Sequence, residues 1–230
     1  MTAPDLAAFA ALLAEPTRAS FCLALLDGRA WTAGELAAHA GVAPSTATEH
    51  LNRLLSGGLL VQHRQGRHRY VRLADARTAE LLESLVAHLR PAAPPRGLRA
   101  ATAAAALARG RTCYDHLAGR LGVAITDAML ARGLLTGPHD LALTDSGRRW
   151  LTESLGADLS RPTPRPLTRT CLDWTERRPH LAGLAGAQVR DRLRAHGWTT
   201  PVGTGRALRL TASGAAALHS LLGLDPAALS

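Results

Sequence analysis

The chain has 230 residues, of which 47% are apolar and 3% aromatic, and it carries a formal net charge of +9. That size and apolarity bury a core without staples, which excludes an intrinsically disordered chain, and Cys22, Cys113 and Cys171 are too few and too scattered for a disulfide framework. Acidic Asp5 and Glu15 near the start, and a longest bland run (100–108) bounded by Arg99 and Arg109, argue against a signal peptide and a membrane span. A protein of the reducing cytoplasm with no membrane partner is expected.

Low aromatic content with abundant Ala and Leu predicts a mainly α protein with small β wings. A helix is predicted over 4–14, with Pro4 in its first turn and Leu6, Phe9, Leu12 and Leu13 on one face. Pro16 interrupts, and a second helix runs over 17–26 to Asp27-Gly28. Thr32 and Glu35 form a capping box for a helix over 33–40 that ends at Gly41. The next helix opens after Pro44 and runs through Leu51, Leu54 and Leu55 to Gly57-Gly58. The period then changes: 59–64 and 67–73 read as two strands around a Gln65-Gly66 turn. A helix over 75–89 carries Leu81, Leu82, Leu85 and Leu89, and Pro91, Pro94 and Pro95 mark the boundary between a first domain (1–90) and a second (91–230).

The second domain repeats itself. Arg111-Thr112-Cys113-Tyr114-Asp115-His116 recurs as Arg169-Thr170-Cys171-Leu172-Asp173-Trp174. His116-Leu117-Ala118-Gly119 recurs as His180-Leu181-Ala182-Gly183, and Leu141-Ala142-Leu143-Thr144-Asp145-Ser146-Gly147 as Leu208-Arg209-Leu210-Thr211-Ala212-Ser213-Gly214. Three matches in the same order argue duplication into units at about 98–156 and 167–224, joined by a linker with Pro162, Pro164 and Pro166. Each unit reads as helix, helix, short strand pair, helix, so the second domain is expected to be a tandem of winged-helix-like units.

All 27 basic residues are Arg. Residues 1–90 hold nine Arg against eight acids, and residues 91–230 eighteen against ten. Yet Arg53, Arg64, Arg67, Arg69 and Arg72 fall in a stretch without an acid, a basic stripe on one motif. Two short helices around Gly41 followed by a two-stranded ribbon form a winged helix-turn-helix pattern, whose second helix enters the DNA major groove. On that helix Ser45, Thr46, Thr48, Glu49 and His50 are candidates for base or phosphate contacts, and Arg53 for a phosphate. Arg64, Arg67, His68 and Arg69 at the ribbon tip are candidates for the backbone or minor groove.

From Glu35-Leu36-Ala37 through Ser45–Leu55, Gly58–Val61 and Arg64–Leu73, together with Pro16-Thr17-Arg18, the sequence over residues 5–90 resembles the ArsR/SmtB family of winged helix-turn-helix regulators. The resemblance implies a homodimer built on the first helix and the helix over 75–89. It also implies repression at an inverted-repeat operator on double-stranded DNA, relieved by an effector. The family's metal sites do not transfer: 32–38 holds no Cys, and the dimer helix offers only lone Asp75 and His88.

Effector sensing is therefore expected in the duplicated half, at Cys113, Asp115, His116, Cys171, Asp173 and His180. Cys113 and His116, three residues apart, are expected to share a helix face. Metal ligation, thiol redox chemistry and a small-molecule pocket edged by Tyr114, Trp150, Trp174 and Trp198 all fit these residues, as does plain packing of buried Cys and His. The metal is not identified by the sequence, and no cofactor is required. Gly-rich phosphate loop, nucleophile elbow and His-Glu-x-x-His signatures are missing, so an enzyme is not expected. The alternative to a DNA-binding repressor is a tandem winged-helix scaffold for protein or ligand binding.

Overall fold

The computed structural model describes residues 2–66, 68–89, 97–160, 163, 165–203, 205–225 and 227. Arg67, Pro91, Pro94, Pro95, Pro162 and Pro164, singled out above, lie outside the described residues. The chain divides into two compact units, Met1–Leu82 and Glu83–Ser230.

In the first unit, helix α1 (Ala3–Leu13) and helix α2 (Pro16–Leu25) meet at a bend of 80°. Glu15 is the N-cap of α2 and accepts from the backbone N–H groups of Thr17 and Arg18. Arg18 turns back and donates to the carbonyls of Leu12 and Ala11 at 2.6 and 2.7 Å, closing the C-terminal end of α1. Strand β1 (Trp31–Thr32) leads into α3 (Ala33–Ala40), which has the expected Thr32–Glu35 capping box and ends at Gly41 with φ +67. Helix α4 (Pro44–Ser56) follows, then the ribbon β2 (Leu60–Gln65) and β3 (His68–Leu73), then α5 (Ala76–His88). The sheet order is β1-β3-β2, with Trp31 opposite Val71 and Gln65 opposite His68. Phe21, Leu25, Leu36, Leu51, Leu54, Leu59, Val71 and Leu73 are its buried core. The division between units falls inside α5, short of the proline run.

In the second unit α6 (Leu98–Arg109) precedes two similar successions. The first is a hairpin β4 (Arg111–Cys113) and β5 (His116–Ala118), helix α7 (Gly119–Ala131), strands β6 (Leu135–Thr136) and β7 (Ala142–Leu143), and α8 (Asp145–Arg149), which continues as a π turn over Trp150–Ser154. The second is hairpin β8 (Arg169–Leu172) and β9 (Pro179–Ala182), helix α9 (Gly183–Ala195), strands β10 (Thr199–Pro201) and β11 (Leu208–Leu210), and α10 (Ala212–Leu222). The last strand and capped helix of each unit form as expected, with Thr144 accepting from the Gly147 N–H and Thr211 from the Gly214 N–H. The segments at 111–118 and 169–182 correct the expectation: each is a β-hairpin ahead of the helix, and Cys113 and His116 face each other across β4–β5 rather than along a helix.

The two successions share one core. Leu117, Leu121, Ile125 and Met129 from the first pack with Leu181, Ala185, Val189 and Leu193 from the second. Within each succession a glycine lets the helix start close against the end of its own hairpin, Gly122 in α7 and Gly186 in α9. A Cβ on either would sit 2.4 Å from a carbonyl oxygen, of Leu117 and Leu181 respectively. Among the described residues no single helix is long and apolar enough to cross a membrane.

Two stability predictions follow from these contacts. Gly122→Ala and Gly186→Ala should each cost about 1–3 kcal/mol in urea unfolding through overpacking, whereas Gly34→Ala in α3, where nothing lies within 4 Å, should be neutral or stabilising by up to about 1 kcal/mol. Burial raises the Glu15 pKa, but the N–H groups of Thr17 and Arg18 outweigh it and hold the carboxyl at about 2, below its ordinary 4.5. The cap therefore contributes fully above the unfolded pKa and is lost as pH falls toward 2. Glu15→Gln should cost about 1 kcal/mol near neutrality, and the difference from the parent should shrink as urea melts are repeated from pH 5 down to about 2.

Candidate nucleic-acid interface and a buried cysteine–histidine cluster

Helix α4 is amphipathic. Ala47, Leu51 and Leu54 are buried, while Ser45, Thr48, Glu49, Asn52 and Arg53 are exposed. Thr46 is half-buried. The Thr48 hydroxyl donates to the Pro44 carbonyl at 2.9 Å, and Glu49 pairs with Arg53 at 2.7 Å. An exposed i,i+4 pair of this kind is worth only about 0.3–0.5 kcal/mol, so Arg53 can exchange Glu49 for a phosphate at little cost. On the ribbon Arg64 and His68 are exposed and Arg69 is half-buried. Arg69 donates to the Asn52 side-chain oxygen at 2.9 Å, which joins ribbon and helix into one polar surface. Asn52 was not among the candidates read from the sequence. Its signal was its place one turn after Thr48 and Glu49 on the same polar face.

His50 lies elsewhere. Its Nδ1 is 3.4 Å from both Glu15 Oε2 and Arg18 Nη1, and its side chain is 15% exposed. The ring ties α4 to the α1–α2 corner instead of pointing outward with Thr48.

Of the six effector candidates, four converge. Donor atoms of Cys113, His116, Cys171 and His180 all lie within 4.8 Å of one another. The two sulfurs are 3.8 Å apart and the two histidine Nε2 atoms 3.1 Å apart. Each hairpin supplies one Cys and one His from directly opposed register positions, Cys113 with His116 and Cys171 with His180. Asp115 stands behind His116, with its Oδ1 3.3 Å from Nδ1, and is itself paired with Arg165. The Nδ1 of His180 is buried without a hydrogen-bond partner among the described residues.

The electrostatics favour positive charge at this point. Cys171 is pulled far down by the hydrogen bond from Cys113, against its burial and with help from His116 and His180. Cys113 is pushed up by the same bond and by burial. His116 is moved to about 9, because Asp115 and Cys171 outweigh burial.

Asp173, the repeat counterpart of Asp115, faces away from the cluster. Its Oδ2 accepts from Arg111 Nη2 at 2.9 Å and from the Gly119 N–H at 2.6 Å, and its Oδ1 accepts from Thr175 and Glu176. Burial raises its pKa, but Arg111 and these donors hold it at about 2. Arg111 lies over Trp174 at 4.5 Å, and Trp198 stacks on His196 at 4.6 Å. Those two aromatics are thus taken up by local packing.

A helix-turn-helix domain family matches residues 13–63. The chain is 37% identical over 221 residues to the HTH-type transcriptional regulator YdfF of Bacillus subtilis, covering 95% of this chain and 97% of that one. It is 43% identical over 74 residues to the HTH-type transcriptional regulator CmtR of Mycobacterium tuberculosis, covering 32% of this chain and 62% of that one. Among solved structures, the cadmium metal-sensor CMTR from M. tuberculosis is 36% identical over 40% of this chain and 96% of that one, with a TM-score of 0.32. The full-length likeness to YdfF, on a chain whose first unit folds as two short helices and a ribbon around Gly41, places it: the chain belongs to the helix-turn-helix transcriptional regulators, with its helix-turn-helix in the first unit.

Proposed function

We propose that the chain is a homodimeric repressor of the cytoplasm that binds an inverted-repeat operator and is released by an effector acting on its duplicated half. The observation that carries the DNA-binding part is the continuous polar surface of Ser45, Thr48, Glu49, Asn52 and Arg53 on α4 with Arg64, His68 and Arg69 on the ribbon. Short hydroxyl and amide side chains suit base edges in the major groove, and the ribbon cations suit phosphates. Arg67, between β2 and β3 in sequence, is read with them as a backbone contact, and Thr46 as a flanking one. His50 acts in this reading by fixing the pose of α4.

Dimerisation is supported by unspent apolar surface. None of the residues of α1 is buried, although it carries Leu6, Phe9, Leu12 and Leu13. On α5, Leu81 and Leu85 are exposed one turn apart, and Leu89 follows at the same spacing. A dimer would place two copies of α4 about one helical turn apart on one face of the duplex.

Fluorescence anisotropy on the protein's own upstream DNA and on random duplex tests the roles. Arg64→Ala and Arg69→Ala should weaken binding to both DNAs and each reduce the salt slope by about 1. Ser45→Ala or Thr48→Ala should cost about 1–3 kcal/mol on the specific site and nothing on random duplex. His50→Ala should lower thermal stability first. Equal effects of all these changes on both DNAs would refute the assignment, and a chain with no salt-sensitive binding would be a scaffold instead. In sedimentation, Leu6→Glu should shift the parent dimer toward monomer.

A further inference from the structure

We infer that Cys113, His116, Cys171 and His180 form a closed four-coordinate site for one thiophilic divalent cation of the zinc class, which pins the hairpins of the two duplicated units together. This assignment concerns the second unit alone and goes beyond the DNA-binding reading; metal uptake and operator binding are read in separate assays.

The distances carry it. A tetrahedral ion with metal–sulfur bonds of about 2.3 Å and metal–nitrogen bonds of about 2.0–2.1 Å sets its sulfurs about 3.8 Å and its nitrogens about 3.3 Å apart. The structure has 3.8 Å between the sulfurs and 3.1 Å between the Nε2 atoms, and every pair of the four donors lies within 4.8 Å. Packing of a small hydrophobe explains one buried Cys. It does not explain two stacked imidazoles whose Nε2 atoms are 3.1 Å apart beside two sulfurs.

The orientation agrees. Asp115 lies against Nδ1 of His116, which favours a proton there, so Nε2 facing the cluster is the nitrogen that would give up its proton to a metal. Two thiolates balance a divalent charge, so a buried site with two neutral imidazoles is neutral when filled. Ligation requires both sulfurs as thiolates and both Nε2 atoms free of protons, so binding releases to solvent the protons the cluster carries and moves no electrons. Sulfur and imidazole donors select zinc-class ions over magnesium or calcium, which take oxygen. With four protein ligands the ion has no open position, so the site holds structure or senses the ion and does not activate a substrate.

The duplication gives an independent reason. Each hairpin contributes the same pair from the same register, and either pair alone offers two ligands. Only the juxtaposition of both units makes four. Gly186 adds to the fit, since a Cβ there would lie 3.2 Å from the His116 Cβ.

The test uses the reduced full-length chain. Cobalt(II) titration should saturate at one ion per chain, with the strong visible bands of a tetrahedral site and a thiolate charge-transfer band, and zinc should displace it. X-ray absorption of the zinc-loaded parent should show two sulfur and two nitrogen neighbours, a readout that needs no variant. Cys113→Ser and Cys171→Ser should each weaken the thiolate band and lower the affinity for cobalt, and the double variant should lose the band, while Cys22→Ser, altered in the other unit, should keep it. Substoichiometric uptake, a shell without sulfur, or loss of the band on Cys22→Ser alone would overturn the assignment. So would a reduced chain that takes up no ion and instead oxidises to a Cys113–Cys171 disulfide.

Discussion

The pose of α4 rests on one polar knot at the α1–α2 corner. Glu15 caps α2, Arg18 closes α1, and His50 of α4 lies against both. The knot is half-buried, so its charge-assisted hydrogen bonds are shielded more than a surface pair would be. With Leu51 and Leu54 held in the core, α4 has one face fixed and one left over. The left-over face is the one that carries Ser45, Thr48, Glu49, Asn52 and Arg53. Rigid anchoring on one side holds the short side chains on the other in a fixed arrangement, as a binding surface requires.

In the second unit the organising constraint is close approach. Gly122 and Gly186 let backbone carbonyls lie where a Cβ would stand, and the two hairpins meet across a shared core. The repeats then diverge in detail. Asp115 orients a histidine of the cluster, whereas Asp173 locks Arg111 and the start of α7. Acids at matching places in the repeated sequence thus serve the cluster in one copy and the scaffold in the other. The buried Arg111–Asp173 pair has its carboxylate fully hydrogen-bonded, while the Arg111 Nε has no partner among the described residues and the guanidinium rests on the Trp174 ring.

The first unit was legible in the sequence because its signals are local. The Thr32–Glu35 capping box, Gly41 in the left-handed region and the alternation along the ribbon each determine a few residues by short-range chemistry. The extra strand at Trp31–Thr32 was not, since two residues carry no period. The hairpins of the second unit were misread for a definite reason. A Cys-x-x-His spacing fits one face of a helix and also the two ends of a two-residue turn. The turn here uses Tyr114 at φ +57, and the second hairpin uses Arg177 at φ +57, where no Gly or Asn announces it. The cluster members were nevertheless found, because duplication marks them without reference to their geometry. The inward turn of His50 depends on Glu15 and Arg18, thirty-odd residues away, and no local pattern encodes it.

The most direct test of the central claim, that the outer face of α4 and the ribbon present one DNA-reading surface, is a hydroxyl-radical footprint of the full-length chain on the DNA upstream of its own coding sequence. Two protected patches on one face of the duplex, about 34 Å apart centre to centre, with methylation interference at major-groove guanines inside them, are the predicted result. Protection that is absent, or spread evenly along the duplex whatever its sequence, would contradict the account.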